Sequence, residues 1–135
     1  MSDVAVSQLT SDDFESIGRL LVDEGLCKVD GLSSRVARSA SISPETCLIA
    51  KRDHAAVGAL LAVFNGFHVF LSHVIVRATE QNLGIGKRLH EELVARAVKL
   101  GTIGIITDAR LTATGFYYDV GYRLPGAVFL VRDVP

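Results

Sequence analysis

Two glycines one residue apart stand in Gln81-Asn82-Leu83-Gly84-Ile85-Gly86-Lys87-Arg88-Leu89-His90, between an apolar run and an amphipathic pattern. Glycines so placed let backbone N–H groups close on an anion, and a helix that starts there adds the positive end of its dipole. A P-loop would need Gly at position 81 and Ser or Thr at 88, where this chain has Gln81 and Arg88. A dinucleotide fingerprint would need Gly at 89, which is Leu89. What remains is a strand, then Gln-x-x-Gly-x-Gly, then a helix. Side chains able to move protons precede it: His68, Ser72 and His73 lie in HVFLSHVIV. Period-two alternation there predicts His68, Phe70, Ser72 and Val76 on one face and His73 with Ile75 on the other. A core role for His73, with both ring nitrogens satisfied, competes with a catalytic one. His54 is expected in a turn and His90 on a solvated helix face.

The elements that must hold these residues follow from periodicity. VAVSQL reads as a first strand. TSDDFESIGRLLVDEGL reads as a helix, with Thr10 or Ser11 as N-cap, Asp12 and Asp13 favouring the dipole, and Phe14, Ile17, Leu20 and Leu21 on one face. LSSRVARSA is a shorter helix. TCLIAKR, AVGALLAVF and HVFLSHVIV read as three strands in an antiparallel meander. No Asp, Glu, Lys or Arg occurs from Ala55 to Val76, a length close to a membrane span. Asn65-Gly66 interrupts it with a strong hairpin signal, so the segment reads as a buried hairpin. From Gly84 the period becomes helical: Ile85, Leu89, Leu93, Ala97 and Leu100 form the apolar face, Glu92 precedes Arg96 by four, and Gly101 ends the helix. TIGIIT is a buried strand, TATGFYYDV a helix, and AVFLVRD a closing strand.

The stretch from Val76 through Arg77-Ala78-Thr79-Glu80-Gln81-Asn82-Leu83-Gly84-Ile85-Gly86-Lys87 resembles the acetyl-CoA-binding motif of the GCN5-related N-acetyltransferases (GNAT family). About thirty residues on, Phe116-Tyr117-Tyr118-Asp119-Val120-Gly121-Tyr122 resembles that family's Phe-Tyr-Glu-Lys-Leu-Gly-Phe segment, and the order of elements agrees along nearly the whole chain. The resemblance implies one α/β domain over residues 1–135, with a mixed, mostly antiparallel sheet of six to seven strands flanked by about four helices. It implies that acetyl-CoA is the co-substrate, with Val74, Ile75 and Val76 at its acyl end. Gln81, Asn82, Leu83, Gly84, Ile85, Gly86 and Lys87 would lie at its pyrophosphate. Tyr117 takes the role of general acid by the same likeness, and Tyr118 faces elsewhere. Some relatives carry a base on the strand before Val76; here His73 or Ser72 are the candidates, with Phe70 at a position where others place a base. Two departures stand out. Arg110 replaces the family's Asn seven residues before the tyrosine, within reach of a coenzyme phosphate or an acidic acceptor, and Ala78 replaces a common Pro. Three readings stay open: an N-acetyltransferase acting on a primary amine of a small molecule or protein, a silent acyl-CoA-binding sensor, or an interaction module that keeps only the fold.

Composition narrows the partners. With 135 residues, 49% of them apolar and 21% charged, the chain is globular and long enough to bury a core without staples. A formal charge of −1 without a Lys/Arg block argues against nucleic acid as the main partner. Cys27 and Cys47 match no zinc spacing and read as unpaired thiols in a reducing compartment; no metal is expected. The acidic N-terminus has no apolar leader, so a cytoplasmic setting is expected, with no membrane partner. The apolar closing strand could pair between subunits, and the resemblance makes a homodimer the expected assembly.

Overall fold

A computed structural model of the chain describes residues 3–25 and 30–135. Cys27 falls outside them, and the question of its pairing with it; Cys47 is a buried free thiol. A five-stranded sheet runs in the order β1 (Val4–Gln8), β2 (Cys47–Arg52), β3 (Ala55–Phe64), β4 (His68–Val76), β5 (Gly104–Thr107). The first four strands pair antiparallel, and β5 joins β4 in parallel. Helices α1 (Phe14–Asp23) and α2 (Leu32–Ile42) precede β2, α3 (Ile85–Leu100) crosses between β4 and β5, and α4 (Thr114–Asp119) follows β5.

Burial of both sheet faces explains the uncharged run through β3 and β4. On one face Ile17, Leu20, Leu21 and Val36 of α1 and α2 pack on Ile49, Ala59, Leu61 and Ile75. On the other, Leu89, Leu93 and Ala97 of α3 pack on Leu48, Leu60, Val69 and Leu71. Each fully buried Leu or Ile contributes about 1.5–3 kcal/mol. No helix among the described residues is long and apolar enough to cross a membrane. The β3–β4 hairpin turns at Asn65-Gly66 as expected; Asn65 Oδ1 accepts from the N–H groups of Phe67 and His68, both at 2.9 Å. Gly58 on β3 lets α3 come close. A Cβ there would sit 3.0 Å from the Ile75 carbonyl oxygen and 3.2 Å from Ile85.

Two features depart from the sequence reading. Alternation along β4 is broken by a bulge: Leu71 faces Ala62 and His73 faces Leu61, leaving Ser72 without a partner in the ladder. The extra residue flips the phase. Val74 and Val76 therefore share a face with Val69 and Leu71, while Phe70, His73 and Ile75 share the opposite one. The second departure is at the C-terminus. Residues 127–133 form no strand, so among the described residues the sheet has five strands rather than six or seven. Strand propensity needs a ladder to act on, and here Pro125 and Gly126 lead the chain over the sheet, where Phe129 stacks on Phe70 at 6.2 Å.

The β4–β5 ladder also stops early. It runs from His68↔Gly104 to Leu71↔Thr107, so among the described residues β4 from Ser72 to Val76 has no ladder partner on its β5 side. The two strands part toward their C-terminal ends, where β4 runs on into the glycine loop and β5 leads to residues 108–113 and α4.

Candidate active site

Beyond Val76 the chain makes a turn at Ala78–Glu80, and Gln81 Nε2 reaches back to donate to the Val76 carbonyl at 3.1 Å. Asn82 (φ 64°) and Gly84 (φ 81°) adopt left-handed conformations, and Gly84 caps α3. Such a φ costs a side-chain-bearing residue about 1–2 kcal/mol. The first hydrogen bond of α3 runs from the Arg88 N–H to the Gly84 carbonyl at 3.0 Å. The N–H groups of Ile85, Gly86 and Lys87 thus have no acceptor within the helix. No acidic residue occupies this first turn, and no side chain caps it. The helix end is an uncompensated positive pole.

A groove of about 580 Å³ opens over this pole, lined by Val74, Val76, Gln81, Asn82, Gly84, Ile85, Gly86 and Lys87, with Phe116 and Tyr117 opposite. Glu80 also borders it, but Arg52 binds the Glu80 carboxylate at 3.1 Å with both side chains largely buried, which offsets its charge. At Gly84 a Cβ would point into open space, and at Gly86 it would come 3.4 Å from the Phe116 ring. Free N–H groups, absent side chains and an open strand edge beside them suit an elongated anionic ligand such as coenzyme A, and the residues present fit it.

Not every expected residue lines this groove. The Ile75 side chain is buried on the α1–α2 face, so only its backbone follows the open edge. Leu83 is exposed and is not part of the lining. Arg110 lies across a second cavity of about 290 Å³, together with Ser72, His73, Thr107 and Asp108. That places it away from the glycine loop. Val74, Ala113 and Tyr117 line both spaces.

Tyr117 therefore stands at the junction. Burial pushes its phenol above the ordinary value; a hydrogen bond with Thr107 works against this, and nearby Asp108 adds to it. The phenol keeps its proton at neutral pH. Its ring is wedged edge-on between Phe116 at 5.2 Å and Tyr122 at 5.3 Å. Tyr118 points outward and is exposed, as expected.

The bulge sets His73. The Ser72 hydroxyl donates to the Leu61 carbonyl at 3.1 Å, and Ser72 Oγ lies 2.8 Å from His73 Nδ1. With its proton given to Leu61, Ser72 Oγ must accept, which assigns the hydrogen to Nδ1 and leaves Nε2 with a free lone pair. Burial lowers the pKa of His73, against the pull of Asp108, so the ring is neutral near pH 7. The arrangement offers a base on one side of the junction and an acid at it.

Three residues escaped the sequence reading. Thr107 and Asp108 sit at the C-terminal end of a parallel strand, beside the point where the chain crosses over; in α/β sheets that is where ligands collect, and this was the available signal. His90, read as solvated, is buried. Its Nε2 lies 2.8 Å from the Tyr122 hydroxyl, a partner 32 residues along the chain that α3 periodicity cannot reveal.

The profile of the Acetyltransferase (GNAT) family matches residues 9–122. No curated protein sequence matches significantly. Among solved structures, an aminoglycoside N-acetyltransferase in complex with CoA superposes with a TM-score of 0.81 at 18% identity, covering 98% of this chain and 96% of that one. Ard1 from Thermoplasma volcanium gives 0.81 at 13% identity, covering 91% and 84%. Ribosomal-protein-alanine N-acetyltransferase from Brucella melitensis biovar Abortus 2308 gives 0.79 at 17% identity, covering 97% and 100%.

Proposed function

The chain belongs to the GNAT acetyltransferase family, and from that premise we propose that it transfers an acetyl group from acetyl-CoA to a primary amine by direct attack. One observation carries the reading: the groove over the α3 pole and the cavity holding His73 meet at Tyr117. Donor and acceptor approaches thus converge on a single proton-bearing group.

Acetyl-CoA supplies an activated thioester. The N–H groups of Ile85, Gly86 and Lys87 hold the pyrophosphate, and Lys87 adds a cation at the rim. The open β4 edge from Val74 to Val76 offers backbone groups to the extended arm of the coenzyme. Asp108 draws a cationic amine into the second cavity, and His73 Nε2 accepts the proton that the amine must lose before it can attack, directly or through a water. Ser72 orients His73. Tyr117 returns a proton to the departing sulfur, for which a phenol held above its usual pKa is fully loaded at neutral pH. Two structural neighbours act, by their names, on an aminoglycoside and on a ribosomal-protein alanine, which supports a primary amine acceptor without choosing between small molecule and protein.

The test is a panel of amines and peptide N-termini incubated with the full chain and acetyl-CoA. Thiol release should depend on acceptor, with the acetylated product seen by mass spectrometry. Acetyl-CoA binding without release from any acceptor would replace the enzyme by an acyl-CoA sensor. Absence of binding would leave only the fold.

A further inference from the structure

The cavity of about 290 Å³ beside His73 carries one charge of each sign. Asp108 and Arg110 supply them, since burial keeps His73 neutral near pH 7. The two do not neutralise each other: the ion pairs among the described residues join other side chains. Elsewhere in this chain, acids drawn out of water are matched by a cation, Asp13 by Lys51 and Glu80 by Arg52. Backbone geometry sets Arg110 in place. It is extended (φ −64°, ψ 148°), and the Ala113 N–H donates to its carbonyl at 2.8 Å, closing the turn that leads into α4.

Arg110 does not border the groove over the glycine loop, where Lys87 is the lining cation. Its guanidinium therefore serves the acceptor side of the Tyr117 junction. A plain amine or a peptide N-terminus leaves that guanidinium unanswered, and a polyamine meets it as a like charge. A phosphate monoester carries about −1.5 to −2 charges, more than one guanidinium offsets with Asp108 beside it. A carboxylate matches it one to one. Size agrees, because the cavity has about half the volume of the 580 Å³ coenzyme groove.

Resting on the transferase reading above, we propose that the acceptor is a small amine that also carries a carboxylate, a free amino acid being the simplest case. Asp108 attracts the ammonium toward His73, and Arg110 takes the carboxylate in the two-pronged contact that a planar guanidinium allows. The carboxylate is a handle and does not react. The amine nitrogen bonds to the acetyl carbon as the carbon–sulfur bond breaks. Ammonium and thioester give an amide, a free thiol and one proton, which His73 passes to water. The product has lost its positive end, so Asp108 no longer attracts it, and this favours release.

The test sets each common amino acid beside its amide, which keeps the amine and loses the acid, and adds phosphoethanolamine. With acetyl-CoA, the full chain should favour the best acid over its amide by roughly ten- to a hundredfold in kcat/KM, the scale of a hydrogen bond to a charged group. Arg110→Gln should erase that preference by raising KM for the acid, Arg110→Lys should restore part of it, and acetyl-CoA affinity should hold in both. Equal loss on acid and amide, or loss of acetyl-CoA affinity, overturns the role given to Arg110. Acetylation of amides or of phosphoethanolamine as fast as of any acid overturns the acceptor class and leaves the transferase standing. Calorimetry of the chain loaded with coenzyme A separates the two failures, since the acid should bind there and its amide should not. Such binding without acetylation removes the transferase and keeps the site for the zwitterion. Neither binding nor acetylation of any acid overturns the proposal.

Discussion

In the proposed reaction Tyr117 and His73 divide the chemistry, and each can be removed with little disturbance to packing. Tyr117→Phe keeps the ring between Phe116 and Tyr122 and takes away only the proton. Acetyl-CoA affinity should hold while turnover falls by roughly 10²–10⁴, the range of general acid catalysis, as measured by titration calorimetry beside steady-state kinetics. Undiminished turnover, where chemistry limits the rate, would take Tyr117 out of the mechanism. For His73 the informative readout is pH. Its folded pKa lies below 6.5, so an acid limb in kcat/KM should appear below that value, and His73→Ala should lose the limb along with most of the rate. Ser72→Ala leaves the imidazole but removes the acceptor that fixes its tautomer. It should lower kcat less than His73→Ala does and leave acetyl-CoA affinity alone.

At the scale of elements, the proposed coenzyme site rests on the start of α3. Gly86→Val brings no backbone strain, because the position is helical, but its γ-carbons crowd the groove beside the Phe116 ring and Val76. Acetyl-CoA affinity should drop below detection in calorimetry while the thermal transition stays near that of the parent. Gly84→Ala makes a contrast: its methyl meets open space, but φ 81° should cost about 1–2 kcal/mol of stability. Wild-type affinity in Gly86→Val would remove the groove as the coenzyme site. Much of this element was legible in the sequence, since Ile85, Leu89, Leu93 and Ala97 repeat at helical spacing and Gly84 marks the break in period. The β3–β4 hairpin was legible for a similar reason, through Asn65-Gly66. What could not be read depends on pairing between distant segments. The bulge at Ser72 exists only through the register of β4 against β3, so alternation put Phe70 and His73 on opposite faces. The tail has strand composition but no ladder, and His90 is buried by a tyrosine that follows it by 32 residues.

For the molecule as a whole, buried ionisable groups tie stability to pH in two separate windows. Burial holds His90 below 6.5 against the attraction of Glu91, and it holds His73 below that value against the attraction of Asp108. Both are neutral when folded, and their unfolded counterparts take up protons first as pH falls. Below about 6.5 the unfolded state therefore binds more protons than the native one, so stability declines on acidification and the loss is complete only below the folded pKa values. Asp13 acts lower on the scale. Burial alone would raise its carboxyl, but the Lys51 ammonium at 2.7 Å and hydrogen bonds from Thr10 outweigh that and bring it below 3.8. Its contribution is present above 3.8 and is lost as pH falls through the lower folded value. Urea midpoints should thus fall between pH 7.5 and pH 5, with a second loss below pH 4. Tyr122→Phe, which strips His90 of its partner in a buried place, should cost about 1–3 kcal/mol at pH 7.5. His90→Gln should flatten the window around pH 6 and leave the acid one in place. A midpoint in the parent that does not change from pH 7.5 to pH 5 would mean that His90 meets water, contrary to its burial against Tyr122 and Phe116.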